Sequence, residues 1–463
     1  MKKVIAFLLV LTLALGGIFF AHVTVTASQD DLLIYPIAQT GDPAVLDGLS
    51  AGITFNCGKH LFWRSTYAFG GETETEFVYD RKGVEAEMNT VSNQINFWLT
   101  SGLSASTSGS FNLNRGVYGE LFQTVIAETP YGSTHTMTLD LSDYADSYAL
   151  EFSLYYREEN RRCDYSIDTM ELLENQHWQN GGGFYKSFLE LFRFPVQEGQ
   201  TVTVTAARND AGNIYSIDLQ FTDCPELYSV SYVGSEGIYF LPIFLDENQN
   251  PLPYESPYGH GVYFAPWKVT DTYDTTVYVA PDLNKLRLLI PLEETLCIDH
   301  IDINGDLDEC RILSREGEGY FLTVWDLTTG DVKTRLEVLP HDPDRISRGV
   351  FHEDEGYLLI TAQEHIALVD PETWQVLLTA PDVAGQRYAA TWHTAAVGAL
   401  RFDGQRLYLL NTGMYYETGA FWAAVWQQDE LLYYGEYDCS LMRGNDNWYY
   451  NSITADFYPL QWK

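Results

Sequence analysis

The sequence predicts an all-β protein that begins with one apolar helix, and three observations support this prediction. Aromatic residues, which are enriched in strands, make up 14% of the 463 residues. Short segments of alternating apolar and polar residues recur along the chain, separated by Gly, Asn and Pro. An unbroken apolar run extends from Val4 to Ala21. The hydrophobic fraction of 46% is large enough for extended cores, so a folded chain is expected despite its high charge.

Residues 1–27 have the organisation of an export signal. Lys2 and Lys3 precede the apolar run, and Val25-Thr26-Ala27 places small residues at a signal-peptidase site. The run is longer than the usual signal core of about 7–15 residues and is close to the minimum of about 17 for a spanning helix. We therefore predict either a cleaved signal peptide or a membrane anchor. In both cases the chain is exported, and it is either anchored to the cell membrane facing outside or secreted.

The charge of the chain excludes one class of partner. The formal net charge is −37, from 27 basic and 64 acidic residues, and such a chain repels nucleic acid. It also disfavours docking on anionic lipid, so we expect membrane contact only through the N-terminal segment. The simplest interpretation of the charge is solubility, and attraction for cations such as Ca²⁺ is the alternative. The expected partner is a protein or a glycan.

Residues 28–225 are predicted to be a β-rich region, either a separate domain or the first blades of a larger fold. The clearest element is a hairpin, in which Thr201–Ala206 and Ile214–Phe221 flank a turn of Asn, Asp and Gly. Two short helices are also predicted, at Ile167–Glu174 and Phe184–Phe192.

Residues 226–463 contain a repeat. A strand at Tyr320–Trp325 leads into Asp326 and a Thr/Gly turn, and a strand at His365–Val369 leads into Asp370 and a similar turn. The two aspartates lie 44 residues apart. A period of about 40–50 residues with four short strands each is typical of β-propeller blades. We therefore predict a C-terminal β-propeller with partly irregular blades, in which these aspartates cap turns and are not part of a site.

The repeated segments also resemble a known group of proteins. The pattern strand, Asp-x-x-Thr-Gly, strand at Val324–Gly330, which recurs at Val369–Trp374 with Trp374 in place of Gly, resembles the blades of quinoprotein- and WD40-type β-propellers. The chain departs from WD40 proteins because Trp325-Asp326 is not repeated. The whole chain further resembles exported, membrane-anchored, β-rich proteins of Gram-positive bacteria. Neither resemblance supplies site residues.

One acidic stretch is a candidate metal site. Asp302, Asn304, Asp306 and Asp308 place oxygen ligands at alternate positions, as at the start of a calcium loop. Leu307 replaces the usual Gly of such a loop. Asn304-Gly305 is also a strong two-residue hairpin signal, and a hairpin and a calcium site are compatible. A two-residue turn at Asn304-Gly305 would place Asp299 opposite Cys310. Cys297 would then lie diagonal to Cys310, and Cys297 and Cys310 are therefore the favoured disulfide pair.

No catalytic or cofactor-binding residue is predicted. Gly48-Leu49-Ser50-Ala51-Gly52 fits the G-x-S-x-G pattern, but a strand instead of a helix is expected after Ser50, which excludes a nucleophile elbow. The leading functional hypothesis is a surface-tethered, non-catalytic propeller that binds or scaffolds a protein, peptide or glycan ligand. The alternatives are an exported carbohydrate-active or other hydrolase that uses channel carboxylates, and a structural component of the cell envelope.

Overall fold

The structure, a computed structural model, is mostly β and begins with one long helix. The described residues are 2–27, 33–56, 61–79, 93–99, 102–106, 118–158, 160–167, 182–304, 308–342, 349–363, 365–381, 397–411, 421–439 and 455–462. The chain forms two compact units. The first unit combines residues 1–90 with 347–463, and the second unit is residues 91–346.

Three α-helices and 29 strands lie within the described residues. The helices are α1 (Lys2–Ala27), α2 (Gly119–Glu128) and α3 (Gly182–Leu191). The strands, in chain order, are β1 (Ile34–Gly41), β2 (Leu49–Asn56), β3 (Leu61–Ala68), β4 (Thr73–Tyr79), β5 (Gln94–Leu99), β6 (Gly102–Ser106), β7 (Ser133–Asp140), β8 (Leu150–Glu158), β9 (Arg161–Ile167), β10 (Thr201–Arg208), β11 (Ile214–Phe221), β12 (Glu226–Val233), β13 (Gly237–Leu245), β14 (Gly261–Tyr273), β15 (Thr276–Pro281), β16 (Arg287–Pro291), β17 (Cys297–Asn304), β18 (Glu309–Glu316), β19 (Gly319–Asp326), β20 (Val332–Pro340), β21 (Val350–Asp354), β22 (Tyr357–Ala362), β23 (His365–Asp370), β24 (Gln375–Pro381), β25 (Val397–Phe402), β26 (Arg406–Asn411), β27 (Phe421–Gln427), β28 (Glu430–Cys439) and β29 (Ala455–Trp462).

The apolar segment predicted at the N-terminus forms α1. Its span Val4–Thr24 is long and apolar enough to cross a membrane, and its side chains are exposed. A signal sequence has the same length and composition, so the helix agrees with both predictions for residues 1–27.

The first unit contains three antiparallel sheets. Their strand orders are β21-β22-β23-β24, then β1-β28-β27-β26-β25, and β29-β2-β3-β4. The first two sheets share an apolar layer that includes Leu359, Leu368 and Trp426. A hydrogen bond also joins these two sheets. The indole N–H of Trp426 on β27 donates to the carbonyl of Pro381 on β24 at 3.2 Å. The second and third sheets share another layer, in which Tyr437 packs against rings of the third sheet.

The third of these sheets joins distant parts of the chain. β29 pairs antiparallel with β2, with Ile53 in register with Phe457. The sheet is therefore completed by a strand that follows the other three by more than 370 residues. Stacked sheets of four or five strands, each burying faces against the next, are typical of β-propeller blades, and the predicted fold class is confirmed.

The second unit contains a further blade and a larger sheet. The blade has the order β17-β18-β19-β20, and its Ile303 and Ile312 pack against Ile243 and Ile290 of the larger sheet. The larger sheet has the order β12-β13-β14-β15-β9-β8-β5, with β16 also paired to β14. Strands β12, β13, β14 and β16 form an irregular blade, because the 13-residue strand β14 continues past β16 and pairs with β15.

The larger sheet nearly closes on itself. The hydroxyl of Ser231 on β12 accepts from the amide of Ile95 on β5 at 3.3 Å and lies 3.1 Å from its carbonyl. Helix α3 packs against the apolar inner face, where Phe188 lies 5.4 Å from Phe97 and 5.3 Å from Phe152 between ring centroids. A separate four-stranded sheet, β6-β11-β10-β7, and α2 pack on the same core.

The strands of the repeat and the hairpin β10–β11 lie where the sequence predicts them. The predicted helix at Phe184–Phe192 is confirmed by α3, whereas Ile167 ends β9 and residues 168–181 lie outside the described residues. The division of the chain at residue 225 stays a prediction. In the structure, residues on both sides of it contribute strands to the second unit.

Candidate functional site

The predicted turn aspartates have the roles that the sequence indicates. Asp326 accepts the amides of Thr328 at 2.8 Å and Thr329 at 2.9 Å. Asp370 accepts the amide of Glu372 at 2.9 Å and the hydroxyl of Thr373 at 2.6 Å. These hydrogen bonds satisfy backbone groups in the turns after β19 and β23, so the aspartates are structural.

The predicted calcium residues flank the hairpin β17–β18. Asp302 and Asn304 end β17, Asp308 has a φ of 51°, and Asp306 lies outside the described residues. The hairpin is confirmed, but its predicted register is wrong. Asn304 pairs with Glu309, and the connection is longer than the two residues of a type I′ turn.

Basic side chains already compensate part of this acidic cluster. Arg311 lies 3.9 Å from Asp302 and 3.3 Å from Glu309, and Lys333 lies 3.2 Å from Glu309 and 3.8 Å from Asp326. Across the described ranges, no group of three or more His, Cys, Asp or Glu side chains is arranged to hold a metal ion. Calcium binding at Asp302, Asn304, Asp306 and Asp308 stays a prediction.

The favoured disulfide is wrong. Cys310 is in register with Ile303, and Cys297 with Arg315, so the two cysteines lie near opposite ends of the hairpin. Both are free thiols. The longer turn moves the register by four residues, and this shift separates the pair.

The strand predicted after Ser50 is confirmed. Ser50 is the second residue of β2, and the strand continues to Asn56 with no helix after Ser50. The strand-to-helix turn that a nucleophile elbow requires is therefore not formed at this position.

A groove of about 980 Å³ on the second unit is the best candidate site. It lies between β9, the second half of β14, β15 and α3. Small-molecule sites have volumes of about 300–1,000 Å³, so the groove is at the upper end of that range. Val279 and Leu283, both buried, contribute its apolar lining.

A cross-strand row of polar side chains crosses one wall of the groove. Asp271 on β14 is in register with Tyr278 on β15, and Tyr278 is in register with Arg162 on β9. An acceptor, a phenol and a guanidinium thus lie next to one another on one face of the sheet, because directly paired residues share a face. A bulge between Val269 and Asp271 sets the position of Asp271.

The remaining polar side chains come from the neighbouring elements. Ser187 and Glu190 lie on α3, Lys268 on β14 and Asn284 in a short 3-10 helix. Within the described part of the chain, these four side chains and those of Arg162 and Tyr273 form no hydrogen bond or ion pair. Asp164 differs, because it lies 4.0 Å from Arg157.

Cys163 also contributes to the groove, but it is not poised as a nucleophile. The residue is 6% exposed. Burial, and then the charge of Asp164, raise the pKa of its thiol to about 12. The thiol is therefore protonated at neutral pH, and the thiolate is the nucleophilic form.

Comparison with solved structures finds similarity at low sequence identity. The β-propeller domain of Cps50 (Swd1) from Myceliophteria thermophila is 11% identical, with a TM-score of 0.21, over 52% of this chain and 83% of that one. A eukaryotic initiation factor is 12% identical, with a TM-score of 0.23, over 68% and 81%. The periplasmic gluconolactonase PpgL of Pseudomonas aeruginosa is 10% identical, with a TM-score of 0.21, over 70% and 99%. Similarities this weak do not indicate a function.

No protein-family profile matches the sequence, and no curated protein matches it either.

The groove residues were not predicted from the sequence. Arg162 precedes Asp271 and Tyr278 by more than 100 residues, and the three residues belong to no motif. One signal was present, because Lys268–Tyr273 is mostly polar where the first half of β14 is apolar. That change shows that β14 leaves the core at this point.

Proposed function

We propose that the protein is tethered outside the cytoplasm by α1 and binds a ligand in the groove of the second unit without changing it chemically. The exposed apolar helix supports the tether, since it has the length of a spanning segment and two lysines at its start. The groove itself is the observation that carries the binding function. Six of its polar side chains form no hydrogen bond or ion pair with other described residues, and we propose that their hydrogen-bonding groups bind the ligand. They are those of Arg162, Ser187, Glu190, Lys268, Tyr273 and Asn284.

Ligand binding by groove variants tests this proposal. The intact chain, held in a sugar-free detergent, is titrated with a panel of neutral, acidic and basic oligosaccharides and peptides, and its melting temperature is recorded. We expect at least one compound to raise the melting temperature, and Glu190→Ala or Lys268→Ala to abolish that rise. Glu198→Ala, an exposed acid outside the groove, is the matched control. A panel with no binder, or binding that ignores the groove variants, would contradict the proposal.

An exported hydrolase is the second candidate, because three carboxylates line the groove. Asp164, Glu190 and Asp271 are the acids that a glycoside-cleaving enzyme would use in pairs. Mass spectrometry of the ligand recovered from the titration separates the candidates. A ligand recovered intact supports binding alone, whereas cleavage that is lost in Glu190→Gln or Asp271→Asn supports the hydrolase.

A further inference from the structure

The groove presents charges of both signs. Arg162 and Lys268 are basic, and Asp164, Glu190 and Asp271 are acidic. A strongly cationic ligand would lie beside the two bases, and a strongly anionic one beside the three acids. Like charges placed together in a binding site cost affinity. A ligand with polar groups but no net charge avoids both costs.

The hydrogen-bonding groups of the groove include both donors and acceptors. Arg162 and Lys268 donate, Glu190 accepts, and Ser187 and Asn284 do both. A hydroxyl group also donates and accepts, so it can use either kind of partner. Dense, mixed groups of this kind suit a ligand that carries many hydroxyls.

Three tyrosines add flat apolar surface. Tyr258 is 40% exposed and Tyr273 is 70% exposed, and Tyr278 lies in the polar row. A tyrosine ring has an apolar face and a polar hydroxyl, and it loses little conformational freedom on binding. Such rings can cover the C–H face of a sugar ring while the sugar hydroxyls reach the polar groups.

From these features we infer that the groove binds a neutral oligosaccharide several sugar units long. This inference rests on the proposed function, because it specifies the ligand of the same groove. The volume of about 980 Å³ exceeds the need of a single small sugar, so the ligand extends over several units.

Calorimetric titration of the intact chain in a sugar-free detergent tests the inference. The probes are neutral hexasaccharides, namely cellohexaose, maltohexaose, xylohexaose and chitohexaose. Hexagalacturonate and hexalysine are the anionic and cationic comparisons. We expect at least one neutral probe to bind more tightly than both charged ones. Its affinity should change little between about 50 and about 300 mM NaCl, since salt screens charge–charge attraction.

Two variants locate the binding. Tyr273→Ala is expected to weaken binding of the neutral probe about tenfold, because truncation of an aromatic contact residue removes buried surface. Tyr215→Ala is the matched control, since Tyr215 is also exposed but lies on β11 outside the groove. Equal effects of the two variants would overturn the inference.

The charged probes separate failure of this inference from failure of the proposed function. If hexalysine or hexagalacturonate binds best and loses affinity in Glu190→Ala or Lys268→Ala, the oligosaccharide assignment is wrong but the groove remains a ligand site. If no probe and no member of the wider panel binds, both proposals are wrong. Tight binding of a neutral hexasaccharide that Tyr273→Ala leaves unchanged would place the site elsewhere and overturn the inference.

Discussion

Two ion pairs of the second unit have the same length but different surroundings. Arg315 Nε lies 2.6 Å from Asp299 Oδ1, and these side chains are 17% and 1% exposed. Arg335 Nη2 lies 2.6 Å from Glu316 Oε2, with exposures of 47% and 39%. Removal of one partner of a buried pair leaves a charge with no solvent to stabilise it, whereas exposed pairs contribute little.

Asp299→Ala is therefore expected to lower the free energy of unfolding by about 3 kcal/mol. The matched change Glu316→Ala should lower it by less than about 1 kcal/mol. Urea unfolding of the two variants and the unaltered chain measures both values. Equal losses would show that burial does not decide the strength of these pairs.

The turn aspartates give stability a dependence on pH. The hydroxyl of Thr373, and then the amide of Glu372, lower the pKa of Asp370. The amide of Thr329 is the main cause that lowers the pKa of Asp326. Because the folded-state pKa values are below the ordinary value of 3.8, the stabilisation is present above that pH and is lost as the pH falls through the folded-state values.

The double variant Asp326→Asn, Asp370→Asn should therefore lose less stability than the unaltered chain between about pH 5 and about pH 2. Asn keeps an oxygen that can accept the turn hydrogen bonds but does not titrate. Urea unfolding across this pH range is the measurement. Parallel pH curves for the two proteins would contradict the assignment of the pKa shifts to these turns.

The hairpin β17–β18 has the predicted strands but not the predicted register. The Asn304-Gly305 signal predicted a hairpin, and the structure has one; burial alternates along β17, whereas both faces of the middle of β18 are buried. The register depended on the turn, and Asn304-Gly305 favoured a two-residue connection. The chain instead uses a longer turn with Asp308 at positive φ, so every cross-strand pair changes.

Gly261 is required where β14 begins. Its φ is 142°, and a Cβ there would clash with the carbonyl oxygen of Ile290 on β16. Gly261→Ala is expected to destabilise the chain by about 2–3 kcal/mol, as strain in a glycine-only conformation does. Gly199→Ala is the control, because Gly199 has a φ of 79° and no neighbouring atom within 4 Å. Thermal and urea unfolding should show a smaller loss of stability for Gly199→Ala than for Gly261→Ala. A larger loss for Gly199→Ala would contradict the clash at Gly261.

Helix α1 gives a prediction about location. Leu13 lies near the middle of α1, and Arg at the centre of a spanning helix costs about 2.5–3.5 kcal/mol of insertion free energy. Leu13→Arg should therefore shift the protein from the membrane fraction and reduce its export. Val332→Arg, at an exposed apolar position of β20, is the control. Cell fractionation and protease accessibility measure the outcome, and unchanged membrane association of Leu13→Arg would contradict the tether.

Strand β29 completes a sheet with β2–β4, although it is the last strand of the described chain. Deletion of residues 455–463 exposes the edge of β2 and should lower the melting temperature. A synthetic peptide of residues 455–463 added to the shortened chain should restore part of the loss, because it can pair with β2. A scrambled peptide is the control. Restoration by both peptides, or by neither, would contradict a specific role for this pairing.

The sequence predicted the blades but not which distant strands pair within one sheet. The spacing of Asp326 and Asp370 identified two neighbouring blades, since the repeat is local in the chain. The pairing of β29 with β2 joins segments with no shared pattern, and the near-closure of the larger sheet joins Ile95 with Ser231. Contacts of this range depend on tertiary packing, which short-range periodicity does not encode.

The pairing of β2 with β29 has a consequence for synthesis. A ribosome delivers β2, β3 and β4 early, yet the strand that completes their sheet is made after all of residues 91–346. The second unit is continuous in the chain, so it has all its strands before the first unit does. A growing chain therefore contains every strand of the second unit while β2 still has an unpaired edge, and that edge stays open until β29 has been synthesised.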